Sequence, residues 1–395
     1  MKYETVIGLE VHLQLKTKTK AFCGCPTDFG KVPNSNVCPV CLGFPGALPV
    51  CNKQMLNSAI KVALALDCRI QEYTKFDRKN YFYPDLPKNY QISQFDLPLS
   101  RNGFLNITLN GKSKRIGITR VHLEEDAGKL IHEADLSLVD FNRAGIPLLE
   151  IVSEPELTSP EEAFDYLSSL KSIIEYLDVS DCDMEKGSLR CDANISLRPE
   201  GAKELGVKTE LKNMNSFKGV KDALNFEVSR QAELLKAGQV ISQQTRLWDA
   251  QKNITVAMRS KEDSKDYRYF PDPDLAVFLI DQPLISSIKN SLPELPGEKL
   301  RRFMLDYSLS EYDARILVSS KKDAQFAEEC LARYPGKDKK SMVNWLIGPL
   351  LSEANSRKIN LHQLGLDIEG LLNLIGFVER EELSHLSAKS VLSQM

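Results

Sequence analysis

IGLEVHLQL, residues 7–15, alternates without a break: Ile7, Leu9, Val11, Leu13 and Leu15 are apolar, and Glu10, His12 and Gln14 fall between them. Successive side chains of a β-strand point to opposite faces, so this stretch predicts a strand with one apolar face and one face of acid, imidazole and amide. The pattern returns in 189–197, where the odd positions are apolar and Ser188, Arg190, Asp192, Asn194, Ser196 and Arg198 share the other face. It returns again where Val207, Thr209 and Leu211 alternate with Lys208, Glu210 and Lys212. Strands packed on one side only are expected to be antiparallel. The fold class read from these stretches is α+β, an antiparallel sheet with one strongly polar face.

Helices with readable ends interrupt the strands. Ser159, Pro160 and Glu162 supply an N-cap, an N1 proline and a capping-box acid ahead of Ala163, Leu167, Leu170, Ile174 and Leu177. Ser216 and Gly238 bracket a second helix, and Asn52 opens a third whose apolar face runs through Ile60, Leu64 and Leu66. After Pro293-Glu-Leu-Pro296 helical periodicity takes over, in 297–307, 310–318, 322–333 and 340–354. The reading is therefore two domains, a mixed one over 1–290 and an all-α one over 291–395. A length of 395 residues is itself too great for one ordinary core.

The net charge of −3 carries no signature of a nucleic-acid binder, so any RNA contact must come from local patches. No stretch approaches the eighteen or more apolar residues of a membrane span, and the N-terminus lacks a signal-like apolar segment. A cytoplasmic location is expected, or an organelle matrix if a transit peptide has been removed. Nine cysteines, four of them clustered, suit reduced thiols plus a metal site better than disulfides. Those four are Cys23-x-Cys25 and, after twelve residues, Cys38-x-x-Cys41, with Gly24, Pro26, Pro39 and Gly43 shaping both knuckles. The spacing fits a closed tetrahedral zinc site, which leaves no open coordination position and so has a structural role.

Glu10 and His12, roughly 7 Å apart on one strand face, could reach a single divalent ion. More acid lies in His122-Leu-Glu124-Glu125-Asp126, and Glu150 stands among Ile146, Leu148, Leu149, Ile151 and Val152, where a charge must be paired or coordinated. Alternation from Val121 and Leu123 puts Glu124 on the polar face. The bland reading is a solvated sheet face, with Glu150 paired to an arginine such as Arg143. There is no G-x-x-x-x-G-K-[ST] loop, so phosphate binding would draw on separated cations: Arg190, Lys208, Lys212, Arg246 and Arg268, or these form a charge ladder with Asp192 and Glu210. No cysteine outside the cluster has a histidine beside it in sequence to activate it as a nucleophile.

Six segments together carry a resemblance: GLEVHLQLKTK (8–18), FDRKNYFYPDLPKNYQISQ (76–94), HLEEDAG (122–128), DFNRAGIPLLEIVSEP (140–155), SLRCDANISLRP (188–199) and DYRYFPDPDL (266–275). They are similar to the B subunits of tRNA-dependent amidotransferases, GatB of the GatCAB complex. The resemblance implies a cradle domain with a sheet like that of glutamine synthetase, carrying the thiol cluster as an insertion at 23–41. It implies ATP-dependent conversion of mischarged Glu-tRNA(Gln) or Asp-tRNA(Asn) to the amide through an acyl phosphate. Ammonia would come from the glutaminase, which is the A subunit of such complexes, and the C subunit would complete the assembly.

Carried over by position, the resemblance assigns magnesium, or manganese in its place, to Glu10, His12, Glu150 and either Glu124 or Glu125. Beside such a site, the reading of the polar face gives Arg190 and Arg268 to phosphate or substrate carboxylate, and Arg190, Asp192, Lys208, Lys212 and Arg246 to the nucleotide. Segment 76–94 would face the ammonia passage, with Lys79, Tyr81, Lys88 and Gln94 as weaker candidates. The helical domain would bind tRNA, and the family's small C-terminal tail domain is expected to be missing. Two rival readings stand beside this one: a zinc-stapled RNA-binding or assembly protein without chemistry, and a metal-dependent hydrolase, which lacks a dense ligand motif.

Overall fold

The structure is a computed structural model that describes residues 2–109, 111–258 and 266–395. It divides into two compact units, Met1–Leu292 and Pro293–Met395.

The first unit is built on a nine-stranded sheet, ordered Ile254–Ala257, Gln244–Asp249, Thr209–Lys212, Leu189–Pro199, Tyr3–Gln14, Pro147–Ser153, Lys112–Glu125, Ser100–Leu109 and Arg69–Ile70. The strand quoted at the outset lies at its centre. Ile7, Leu9, Val11 and Leu13 are buried, as are Leu189, Cys191, Ala193 and Ile195 beside them. Helices Pro160–Leu177 and Phe217–Lys236 pack on each other and on the sheet. Removing this apolar face from water is the main favourable contribution to the fold. The polar face is left to the loops and to the segment around residues 76–94.

Seven of the eight strand pairings in this sheet are antiparallel, but Thr209–Lys212 and Gln244–Asp249 run parallel. The expectation of a wholly antiparallel sheet is thus corrected. Helix Phe217–Lys236 lies between these two strands in sequence and supplies the crossover that a parallel pair requires.

The helix ends follow the sequence closely, with one adjustment. Ser159 Oγ accepts from the Glu162 amide at 3.2 Å, but the Glu162 carboxylate reaches back to the Thr158 amide at 2.7 Å and also to Lys114. The capping box is therefore shifted by one residue, because Lys114 draws the carboxylate outward. Asn52 Oδ1 caps helix Lys53–Ala65 through the amides of Gln54 and Met55, and its Nδ2 donates to Thr19.

In the second unit the helices Pro296–Asp306, Glu311–Val318 and Lys321–Arg333 fall on the periodic stretches. The last stretch is not one helix. Lys340–Trp345 passes into a π turn over Leu346–Leu350 before Leu351–Arg357 resumes. Pro349 lies inside the turn, and with no N–H to give it breaks the regular ladder, which the wider turn absorbs.

Candidate functional site

Strand register assembles the polar face row by row. His12 stands opposite Arg190 on one side and Glu150 on the other, and Glu150 stands opposite His122. In the next row Glu10 stands opposite Asp192 and Val152. His12 Nε2 lies 3.5 Å from Glu150 Oε2 and 3.7 Å from Glu124 Oε1, and His122 Nε2 lies 3.1 Å from the same Glu150 Oε2. One donor atom from each of His12, Glu124 and Glu150 lies within 4.8 Å of the others. These residues come from three strands, and one nitrogen with two carboxylates suits a hard divalent ion of the magnesium or manganese type.

Charges at this point are strongly mutual. Burial opposes protonation of His12, but the hydrogen bond to Glu150 and the attraction of Glu150, Glu124 and Asp192 outweigh it and raise its pKa to about 9. Burial would raise the pKa of Glu150, yet the imidazoles of His122 and His12 hold it well below the usual carboxylate range. Lys79 looks onto the same carboxylates. Its burial disfavours the charge, while Glu124, the rings of Tyr269 and Tyr267, and Glu150 favour it and raise its pKa. Its Nζ sits 4.7 Å from the centre of the Tyr267 ring.

Beside this group lie the cations. Arg190 donates from Nη2 to Asp126 at 2.9 Å, and Asp126 also accepts from Gln14 at 2.7 Å. Lys212 pairs with Asp192 and, at 3.0 Å, with Glu210, and these two acids raise its pKa against the opposing effect of burial. Glu10 accepts from Asn194 at 2.9 Å and is not among the three converging ligands.

Several sequence candidates stand elsewhere. Glu125 follows the alternation and faces away from Glu124; its Oε1 accepts from Lys88 and from the Ile92 amide. Arg246 pairs in register with Leu211, whose side chain is buried, so it points toward helix Phe217–Lys236. There it meets the fully buried Glu227 at 3.0 Å and donates to Thr255, on the helix side of the sheet rather than beside Arg190 and Lys212. Lys208 is exposed and precedes its strand, which begins only at Thr209. Arg268 is 83% exposed and among the described residues its side chain pairs with Asp266, at 3.8 Å, away from His12, Glu124 and Glu150. Gln94 is buried as a brace, donating to Thr74 and accepting from the amides of Leu99 and Leu123. Tyr81 Oη reaches Gln91 at 3.5 Å. Arg143, offered as a partner for Glu150, instead donates to the carbonyls of Ala127 and Gly128. Sequence reasoning passed over His122 as a functional residue, although the alternation that selects Glu124 puts His122 on the same face.

Segments 76–94 and 266–275 dock on each other. Phe270–Pro271 pairs with Asp77 and Arg78, and Arg78 donates to Asp272 and Asp274 at 2.8 and 2.9 Å while lying over the Tyr90 ring. Lys79 follows Arg78 in this docked pair of segments, with its Nζ over the Tyr267 ring.

The four thiols of Cys23, Cys25, Cys38 and Cys41 also lie within 4.8 Å of one another. Tetrahedral zinc holds sulfurs at about 2.3 Å, hence about 3.8 Å apart, so the donor set fits that ion with little movement. Cys41 is the thiol most ready to ionise: hydrogen bonding from Cys23, opposed by burial and helped by the Cys38 amide and Lys20, lowers its pKa to about 4. The fully buried Lys20 places Nζ 3.7 Å from Cys41 Sγ. A cavity of about 140 Å³ runs from this cluster to Lys88 and Glu125.

Comparison with known proteins bears on the same residues. The family described as "GatB/GatE catalytic domain" matches residues 5–286, and one described as "GatB domain" matches 325–395. A protein of Carboxydothermus hydrogenoformans, named as the B subunit of an aspartyl/glutamyl-tRNA(Asn/Gln) amidotransferase, is 52% identical over 399 residues, covering all of this chain and 82% of that relative. Proteins of the same name from Thermoanaerobacter sp. (strain X514) and Brevibacillus brevis are each 52% identical over 396 residues, covering all of this chain and 83% and 82% of the relatives.

Proposed function

This chain belongs to the GatB/GatE family, and from that premise we propose that it is the B subunit of an aminoacyl-tRNA amidotransferase. It would convert the side-chain carboxylate of Asp-tRNA(Asn) or Glu-tRNA(Gln) to an amide at the expense of ATP. The observation that carries this reading is the convergence of His12, Glu124 and Glu150 on one sheet face, with Arg190 and Lys212 beside them. No cysteine outside the thiol cluster has a histidine next to it in sequence, which fits a division of labour in which glutamine is hydrolysed on a partner protein.

In this proposal His12, Glu124 and Glu150 hold magnesium or manganese, which offsets charge on the phosphates of bound ATP. Arg190 and Lys212, tethered by Asp126 and by Asp192 with Glu210, present donors to phosphate oxygens without collapsing onto the metal ligands. A carboxylate oxygen of the aminoacyl group attacks the γ-phosphorus and ADP leaves, giving an acyl phosphate. Ammonia then attacks the carbonyl carbon, phosphate leaves, and a proton is lost to give the amide. Lys79 would favour the approach of the anionic side chain.

The sheet unit is read as a cradle catalytic domain of the glutamine synthetase-like kind, with its polar face as the active surface. Zinc on the four thiols is read as a staple of that unit, and the helical unit as a tRNA-binding element. Partners would be the A and C subunits of the complex and the mischarged tRNA. The test supplies ATP, magnesium, mischarged tRNA and ammonium chloride to the chain alone, and glutamine to the chain reconstituted with both partner proteins. Amide formation is expected in both, with no turnover of glutamine by the chain alone. If neither makes the amide and ATP stays intact, the chain serves only in assembly and the enzymatic reading falls.

A further inference from the structure

Glu150 is nearly enclosed by the sheet, yet its Oε2 faces two imidazoles, with His12 Nε2 at 3.5 Å and His122 Nε2 at 3.1 Å. The two histidines are not equivalent. His12 is half-buried and also faces Glu124, whereas His122 is only 2% exposed and stands directly opposite Glu150 in the register, on the side away from His12. Its other ring nitrogen, Nδ1, is buried without a hydrogen-bond partner among the described residues. A buried polar atom left unpaired costs stability, so a histidine held only for structure would ordinarily satisfy both nitrogens. His122 satisfies one, and that one is on a carboxylate of the candidate metal centre.

Resting on the reading of His12, Glu124 and Glu150 as a cation site, we propose that His122 is a positioning residue of that site. It donates a hydrogen bond from Nε2 to Glu150 and holds this carboxylate in place for a hard divalent cation. A nitrogen that ligates a metal cannot also donate a proton. Once His12 Nε2 serves as a ligand, its hydrogen bond to Glu150 is lost, and His122 is the imidazole that still holds the carboxylate. The bond needs a proton on Nε2.

The experiment titrates the full chain with Mn2+ alone, following free Mn2+ by electron paramagnetic resonance, beside thermal melts. The variants are Glu150→Ala, His122→Phe, His122→Gln and His122→Asn. The amide nitrogen of glutamine overlies Nε2 of histidine and that of asparagine overlies Nδ1, so only glutamine can restore the donor to Glu150. His122→Phe is expected to weaken Mn2+ about 10- to 100-fold. His122→Gln should bind within a few-fold of wild type, and His122→Asn as weakly as the phenylalanine variant. If His122→Phe fails to fold, the glutamine and asparagine variants decide. Failure of the cation reading looks different: wild type would not bind Mn2+, or Glu150→Ala would bind it equally well. If Glu150→Ala loses Mn2+ but every His122 variant binds like wild type, the positioning role is overturned. It is overturned too if glutamine and asparagine variants lose affinity alike in step with their melting temperatures.

Discussion

Two clusters in the sheet unit can hold a metal ion, and they are built in opposite ways. The thiols of Cys23, Cys25, Cys38 and Cys41 come from one short loop region, and the donors of His12, Glu124 and Glu150 come from three strands far apart in sequence. The first set consists of soft ligands of one kind, enough to close a coordination sphere. The second offers a nitrogen and two carboxylates, with open positions left for phosphate oxygens and water. The loop cluster can gain most of its order from the ion, since a knuckle of this size has little core of its own. The strand cluster is held by the sheet whether or not an ion is bound. A metal on the first cluster would serve the fold, and the fold would serve a metal on the second.

Replacing Glu150 by alanine should break the contrast at its strongest point. Amide formation from ammonium chloride is expected to fall by about 100- to 1,000-fold, as for loss of a group that stabilises transition-state charge, while the thermal melt stays near wild type. Wild-type activity would remove Glu150 from the site, and collapse of the fold would return it to the structural ion pairs.

A second change tests the opposite face of the same sheet. Arg246→Ala leaves the Glu227 carboxylate buried with one cation fewer, which should cost about 3 kcal/mol in a denaturant melt. Mn2+ affinity at the strand cluster should be unaltered. A variant that loses nucleotide binding while keeping its stability would put Arg246 back on the active surface.

Exchanging Cys38 and Cys41 together for serine, or stripping zinc with a chelator, should lower the melting temperature by about 5 °C. Mn2+ binding at His12, Glu124 and Glu150 should persist in the folded variant. Pure protein without zinc, together with an unchanged melt, would mean ordinary thiols.

A further test separates the clusters by pH. The free protein carries a proton on His12 up to about pH 9, and an ion that takes this nitrogen must displace it. Mn2+ affinity should therefore rise about tenfold per pH unit through neutrality and level off above pH 9. Affinity that is flat between pH 7 and 9 would show that His12 is not a ligand.

Much of this was legible in the sequence because alternation is a local property. It located the central strand, placed Arg190, Asp192 and Lys212 on one face, and favoured Glu124 over Glu125. The thiol knuckle was legible for the same reason, since its ligands are close in the chain. The face of Arg246 was not legible, because it depends on a parallel register set by a crossover helix, which no short-range pattern encodes. Glu150 was flagged as needing a partner, but the partners are two histidines brought in from neighbouring strands, and pairing across strands is a tertiary fact. Arg268 shows a third limit: its segment docks through Phe270, Asp272 and Asp274, and the arginine between Tyr267 and Tyr269 is left outside.

Glu124 and Glu125 are adjacent in the chain yet serve opposite sides of the sheet, one beside His12 and Glu150 and the other with Lys88 at the cavity leading to the thiols. The two compartments are therefore separated by parity alone. An insertion or deletion of one residue within strand Lys112–Glu125, unless a bulge absorbs it, would exchange the contents of both at a stroke, whereas a change of two residues would leave each acid on its own side. The constraint bears on the ladder as a whole rather than on any one of its residues, and a bulge such as the register shift opposite Val152 and Ser153 is what can relieve it.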